Sequence, residues 1–283
     1  MRPVGWLTRA RRFGLAGLAL AGLQLAPCLA AEGGTFRQAE VGGLSLGAPA
    51  AEAVKALGRL SDNRGAGLRR GEARMGGYAS PEVLFGAAAQ GDNVSFRVIF
   101  GGGGPPGVPW VANAADARVV GFEKIEAYDL DDRQTFAVVL QALADRFGPP
   151  DLTIRDERRN PRALYWSSSP VITLAKPVGL EALGPPQSLP QLCKTALGIG
   201  ARGNSVAADY YAGQVLAPAD PRLAQCGVWL EVDLTPEAPE SRFVGRMAFR
   251  GGDLAELARA YDALHTLVLD GAAWSAHRRR SPQ

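Results

Sequence analysis

Between residues 94 and 100 the chain reads Val-Ser-Phe-Arg-Val-Ile-Phe, with apolar side chains at Val94, Phe96, Val98 and Phe100. That alternation is the strand period. Strands are likewise predicted over 119–128, 163–167, 171–174, 206–216 and 228–234. Residues 243–249 are the expected partner of 228–234 across a Pro-rich link at 235–241. At 135–147 the period becomes helical: Phe136, Val139, Leu140, Leu143 and Phe147 fall on one face, and Gly148-Pro149-Pro150 stops the helix. A second long helix is predicted over 254–269. Its buried stripe is Leu254, Leu257, Ala258, Tyr261, Leu264 and Val268, and Asp253 with Glu256 forms its capping box. Short helices fit 49–58 and 189–197, an extended piece fits 36–41, and a helical turn fits 218–225. Residues 61–77 and 101–109, rich in Gly with Arg or Pro, read as loops.

Two β-β-α runs stand out: strands 94–100 and 118–127 with helix 135–147, and strands 228–234 and 242–249 with helix 254–269. Arg118-Val-Val-Gly121 opens the second strand of the first run and Arg242-Phe-Val-Gly245 that of the second. The expected fold is therefore α+β, with two tandem, related units of antiparallel sheet and helices packed on one face. The organisation read from the chain is a signal at 1–30, an N-terminal unit at 36–150, a C-terminal unit at 151–273 and a basic tail at 274–283.

The N-terminus sets the compartment. Arg2, Arg9, Arg11 and Arg12 precede an apolar stretch at 13–25, and Pro27-Cys28-Leu29-Ala30 ends in small residues. This is the pattern of a cleaved secretory signal, with cleavage near Ala30 and a periplasmic or extracellular product. The apolar stretch is shorter than the roughly 20 residues a bilayer-spanning helix needs. Leu25-Ala26-Pro27-Cys28 resembles a lipobox with Pro in place of a small residue, which would lipidate Cys28, and Arg11-Arg12-Phe13 resembles a twin-arginine signal. The formal charge of +3 comes from the signal: without residues 1–30 the chain holds 27 basic and 28 acidic side chains. That balance argues against a nucleic-acid partner. In an exported chain the two cysteines beyond the signal, Cys193 and Cys226, are expected to form a disulfide.

Candidate chemistry is sparse. Gly43-Leu44-Ser45-Leu46-Gly47 has the spacing of a nucleophile elbow, and His265 lies downstream. The elbow, however, needs a parallel sheet built before it, and few residues precede Ser45 after the signal. His265 and His277 form no metal cluster. Asp129, Asp131 and Asp132 lack the Gly and distal Glu of a calcium loop, and they suit a helix N-terminus. Ser167-Ser168-Ser169 has no Lys at catalytic spacing, and Gly101 to Gly104 run into Pro-Pro rather than a helix. Arg155, Arg158, Arg159 and Arg162 make a local basic patch. No catalytic residue, cofactor or metal ligand is assigned on these grounds.

The stretch from Gly43 to Gly58, Gly-Leu-Ser-Leu-Gly-Ala-Pro-Ala-Ala-Glu-Ala-Val-Lys-Ala-Leu-Gly, resembles the opening of the SmpA/OmlA/BamE lipoprotein domain. The helix end Arg146-Phe147-Gly148-Pro149-Pro150 is similar to one in related periplasmic proteins. The resemblance implies an envelope protein that binds another protein through a small helix-plus-sheet domain, and it carries over no site residue. The function expected is that of a non-enzymatic exported protein, a protein-interaction or ligand-binding module of the cell envelope. The alternatives are a hydrolase with an unrecognised site and a lipid-binding envelope protein.

Overall fold

The computed structural model describes residues 40–60, 66–75, 77–102, 117–171, 183, 185, 187–198, 205–214 and 217–280. The expected signal with Cys28, the extended piece before Glu40, most of the 101–109 loop and residues 172–174 of an expected strand lie outside them. The fold is α+β. Nine strands form one antiparallel sheet: β1 (Gly67–Met75), β2 (Tyr78–Gln90), β3 (Val94–Gly101), β4 (Arg118–Ala127), β5 (Gln134–Thr135), β6 (Leu152–Arg155), β7 (Pro161–Ser167), β8 (Val228–Pro236) and β9 (Phe243–Asp253). Their order is β1-β2-β3-β4-β9-β8-β7-β6, with β5 added on β9. The helices are α1 (Ala50–Gly58), α2 (Phe136–Phe147), α3 (Leu189–Ala196), α4 (Val206–Ala212) and α5 (Leu254–Arg280).

The two predicted β-β-α runs are present as β3-β4-α2 and β8-β9-α5. Their second strands are neighbours: β4 pairs with β9 from Gly121↔Gly252 to Ala127↔Arg246, so one sheet runs through both halves of the chain. At this seam Phe122 lies opposite Gly251. A Cβ on Gly251 would stand 2.5 Å from Phe122 Cζ, so the ring occupies the space that glycine leaves.

Register divides the sheet into two faces. Lys124, Phe249, Val232 and Leu164 are successive cross-strand partners on one face, and Glu123, Arg250, Glu231 and Tyr165 on the other. α2 covers the first face, where Phe147 meets Trp166 edge-on with ring centroids 5.6 Å apart. Its buried stripe is Phe136, Val139, Leu143 and Phe147, as the periodicity predicts, each such side chain contributing about 1.5–3 kcal/mol on burial. α3 covers the second face, with Lys194 Nζ 3.6 Å from Glu231 Oε1. α4 lies on that side too, its Tyr211 ring filling the space above Gly86. α5 packs against α4 and the 3-10 turn at Pro221–Gln225. The long helices of the two halves therefore take opposite faces of the sheet.

Several elements differ from expectation, and strands β2 (Tyr78–Gln90) and β6 (Leu152–Arg155) were not predicted at all. Residues 206–216, rich in Val and Tyr, were expected as a strand, but 206–212 form helix α4. The Ser205 side chain accepts a hydrogen bond from Ala208 N at its start, and Gly213 ends it at φ 72°, so capping outweighs β propensity. The expected loop at 61–77 contains β1. This edge strand is exposed along most of its length and needs no apolar alternation. α5 runs past 269 to Arg280, through most of the segment read as a tail.

Cys193 within α3 and Cys226 after the 3-10 turn form the expected disulfide, with a Cα–Cα distance of 5.7 Å. Both are fully buried. Among the described residues no helix is long and apolar enough to cross a membrane.

Candidate functional site

A short strap precedes α1. Val41 and Leu44 exchange backbone hydrogen bonds of 2.9 and 3.2 Å across Gly42-Gly43. Both glycines have positive φ, 61° and 81°, as a type I′ turn requires. Gly42 has no room for a side chain either, since a Cβ would stand 2.8 Å from Phe96 Cε1 and 3.5 Å from Lys124 Nζ. The turn thus lays the strap onto the sheet beside Lys124.

Between strap, α2 and sheet lies a cavity of about 230 Å³. Val41, Val139, Leu143, Phe147, Met247 and Phe249 form its apolar wall. Gly42, Lys124, Glu126, Tyr128, Gln134, Ala142 and Arg146 complete it. Strand period explains the polar side: Lys124, Glu126 and Tyr128 alternate along and just beyond β4 and face α2. Gln134, Ala142 and Arg146 are exposed and stand at the opening.

The polar groups are ordered among themselves. Glu126 pairs with the Lys124 ammonium and accepts the Tyr128 hydroxyl at 3.1 Å. Burial, reinforced by the Glu126 charge, pushes the Tyr128 phenol well above its ordinary value, so it stays a proton donor. Arg146 donates from Nη2 to the Glu40 carbonyl and lies 5.3 Å from the Phe147 ring centroid. Among the described residues no carboxylate pairs with it.

On the opposite face a row of four charged side chains and one tyrosine crosses five strands. Arg97, Glu123, Arg250, Glu231 and Tyr165 are successive cross-strand partners on β3, β4, β9, β8 and β7. Arg250 Nε is 3.1 Å from Glu123 Oε2, Arg250 Nη1 is 3.4 Å from Glu231 Oε2, and Arg250 also pairs with Asp233. Tyr165 donates to Glu231 Oε1 at 2.7 Å, and Arg97 Nη1 is 3.6 Å from Glu123 Oε1. Glu123 and Glu231 are both buried. Burial, then the Asp233 charge, raises the Glu231 carboxyl above its ordinary value against the pull of Lys194 and Arg250. Burial opposes the Arg250 charge, but the carboxylates around it prevail and hold its pKa above the usual guanidinium range. Three cations (Arg97, Arg250, Lys194) meet three carboxylates (Glu123, Glu231, Asp233), so each charged group of the row has a partner within it.

The motifs weighed from sequence do not converge. Ser45 sits in the turn before α1, where its carbonyl accepts from Ala48 N, and half-buried His265 is on α5. Asp129 accepts from Asn93 Nδ2 at 2.7 Å, beside the 3-10 turn that holds Asp131 and Asp132. Among the described residues no group of His, Cys, Asp and Glu could hold a metal ion. The basic patch is largely paired: Arg158 with Glu240, Arg162 with Asp156, and Arg155 with the Arg159 carbonyl. Ser168 and Ser169 serve the turn beside the disulfide, bonding to Val228 N and the Gln225 carbonyl. A second cavity, of about 270 Å³, opens at the start of α5 beside Arg118. Its two carboxylates are engaged, Asp253 capping α5 at Glu256 N and Glu256 pairing with Arg259. Sequence reading missed the cavity residues. Their one signal was the pair Lys124 and Glu126 at strand period inside an otherwise apolar strand.

Compared with known protein families, curated proteins and solved structures, the chain matches none.

Proposed function

We propose that this protein is an exported, non-enzymatic binding module that holds a small molecule between α2 and the sheet. The cavity bounded by the strap, α2, β4 and β9 carries this reading. Binding pockets are concave, mostly apolar and furnished with a few convergent polar groups, and this one has that composition. Recognition by a sheet edge has less support. β1 is basic at Arg69, Arg70 and Arg74, and Arg69 donates to the carbonyls of Tyr211 and Ala212 at the end of α4. β6, the other edge, has four residues. Such edges are poor templates for strand addition. The disulfide supports export, because such bonds persist in oxidising compartments. The resemblance of residues 43–58 to the SmpA/OmlA/BamE opening agrees with a place in the envelope.

The test is an NMR screen of small fragments against the disulfide-bonded protein and Ala142→Phe, which plugs the opening from an exposed position. Fragments are expected to shift the amides of Val139, Leu143 and Phe249 in the wild type and not in the variant. A screen that moves none of these amides, or moves them equally in both proteins, rejects the reading.

A further inference from the structure

The cavity's own chemistry narrows what it holds. We infer that its ligand is an amphipathic carboxylate with a short apolar body, the carboxylate at Lys124 and Arg146 and the body against Val139, Leu143, Met247 and Phe249. This rests on the binding-module reading above.

Size sets the first limit. At about 230 Å³ the cavity is smaller than the roughly 300–1,000 Å³ of pockets for drug-sized ligands, so a single short chain or one ring fits and a two-chain lipid does not. The wall sets the second. Val41, Val139, Leu143, Phe147, Met247 and Phe249 offer no hydrogen-bonding group to the interior, so the buried part of the ligand is apolar. Met247 adapts to the shape of what it meets.

Charge sets the third. The lining holds two cations, Lys124 and Arg146, and one anion, Glu126. Glu126 is committed to the Lys124 ammonium and to the Tyr128 hydroxyl, and Tyr128 spends its proton on Glu126. A cationic head would have to displace both partners. An anionic head displaces nothing. Arg146 uses one of its five N–H donors on the Glu40 carbonyl, and Lys124 has three donors of which Glu126 takes one. A guanidinium with free parallel donors matches the two oxygens of a carboxylate. Arg146 sits at the exposed opening and Lys124 deeper, so the head lies at the mouth with the tail inward.

The probes are octanoate, octylamine and 1-octanol, which share one chain and differ in head group. They are titrated by NMR and calorimetry at neutral pH into the disulfide-bonded protein and into Arg146→Gln. Octanoate is expected to bind about tenfold tighter than either other probe, the effect of one charge-assisted hydrogen bond. Arg146→Gln is expected to weaken octanoate by a similar factor and leave 1-octanol unchanged. If octylamine or 1-octanol binds as tightly as octanoate, or if Arg146→Gln weakens octanoate and 1-octanol alike, the carboxylate inference is overturned while the cavity remains a binding site. If none of the three shifts the cavity amides but other fragments do, the inference again falls alone. If no small molecule does, the binding-module reading falls with it.

Discussion

Arg250 on β9 lies directly opposite Glu123 on β4, its Nε 3.1 Å from Glu123 Oε2, at the seam where the two halves of the chain share one sheet. Both flanking cross-strand partners, Arg97 and Glu231, continue the alternation of sign. A buried ion pair adds little over a well-packed apolar replacement, but removing one member leaves the others charged without compensation.

Arg250→Met is therefore expected to destabilise the fold by about 3–5 kcal/mol, because Glu123, Glu231 and Asp233 lose their common partner. Adding Glu231→Gln to it should recover part of the loss. Urea denaturation with the disulfide intact measures both. A loss below about 1 kcal/mol for the single variant would mean that water already solvates the row.

The raised pKa of Glu231 has a signed consequence. From 4.5, its ordinary value, up to its raised value in the fold, the unfolded chain releases this proton more readily than the folded protein does. Stability from this group thus falls as pH rises through that window, opposite to the usual carboxylate. Glu231→Gln removes the titration, so its stability relative to wild type should increase from pH 4.5 upward. Denaturation midpoints at several pH values decide the matter, and a relative stability that declines over the same range contradicts the assignment.

Gly42 and Gly47 separate two effects. Both have positive φ, 61° and 79°, but a Cβ on Gly42 meets Phe96 Cε1 at 2.8 Å and one on Gly47 meets nothing within 4 Å. Gly47→Ala should cost about 1–2 kcal/mol for the left-handed backbone alone. Gly42→Ala should cost more, and it should weaken binding in the cavity by lifting the strap. Equal thermal shifts for the two variants would show that the strap does not pack on Phe96.

The disulfide closes a loop of 33-residue separation. Replacing Cys193 and Cys226 by Ser is expected to cost about 3–4 kcal/mol in the chain-entropy model. Both cysteines should resist alkylation in the native protein until a reductant is added. An unchanged urea midpoint in the double variant would contradict this role.

Much of the architecture was legible because the pattern was strong. The alternation of Val94, Phe96 and Val98 and the stripe of Phe136, Val139, Leu143 and Phe147 each named an element and its buried side. β1 was invisible because Gly67–Met75 is an edge strand with six of its nine positions exposed, so no apolar period marks it. α4 was misread because Val206, Tyr210 and Tyr211 favour strands, while the Ser205 cap and the Gly213 stop are single residues. Lys124 and Glu126 were legible only as charges in a strand, since what they face depends on where α2 comes to rest.

The sequence by itself determined the α+β class, the periods of its main elements and the pairing of the only two cysteines beyond residue 30, because these follow from local spacing and composition. Only the tertiary structure decided that β4 pairs with β9, that α2 and α3 take opposite faces, and that four charged side chains distant in the chain form one row across the sheet. Strand order and helix placement are settled by long-range burial and hydrogen bonding between segments more than a hundred residues apart, which no local window of sequence contains.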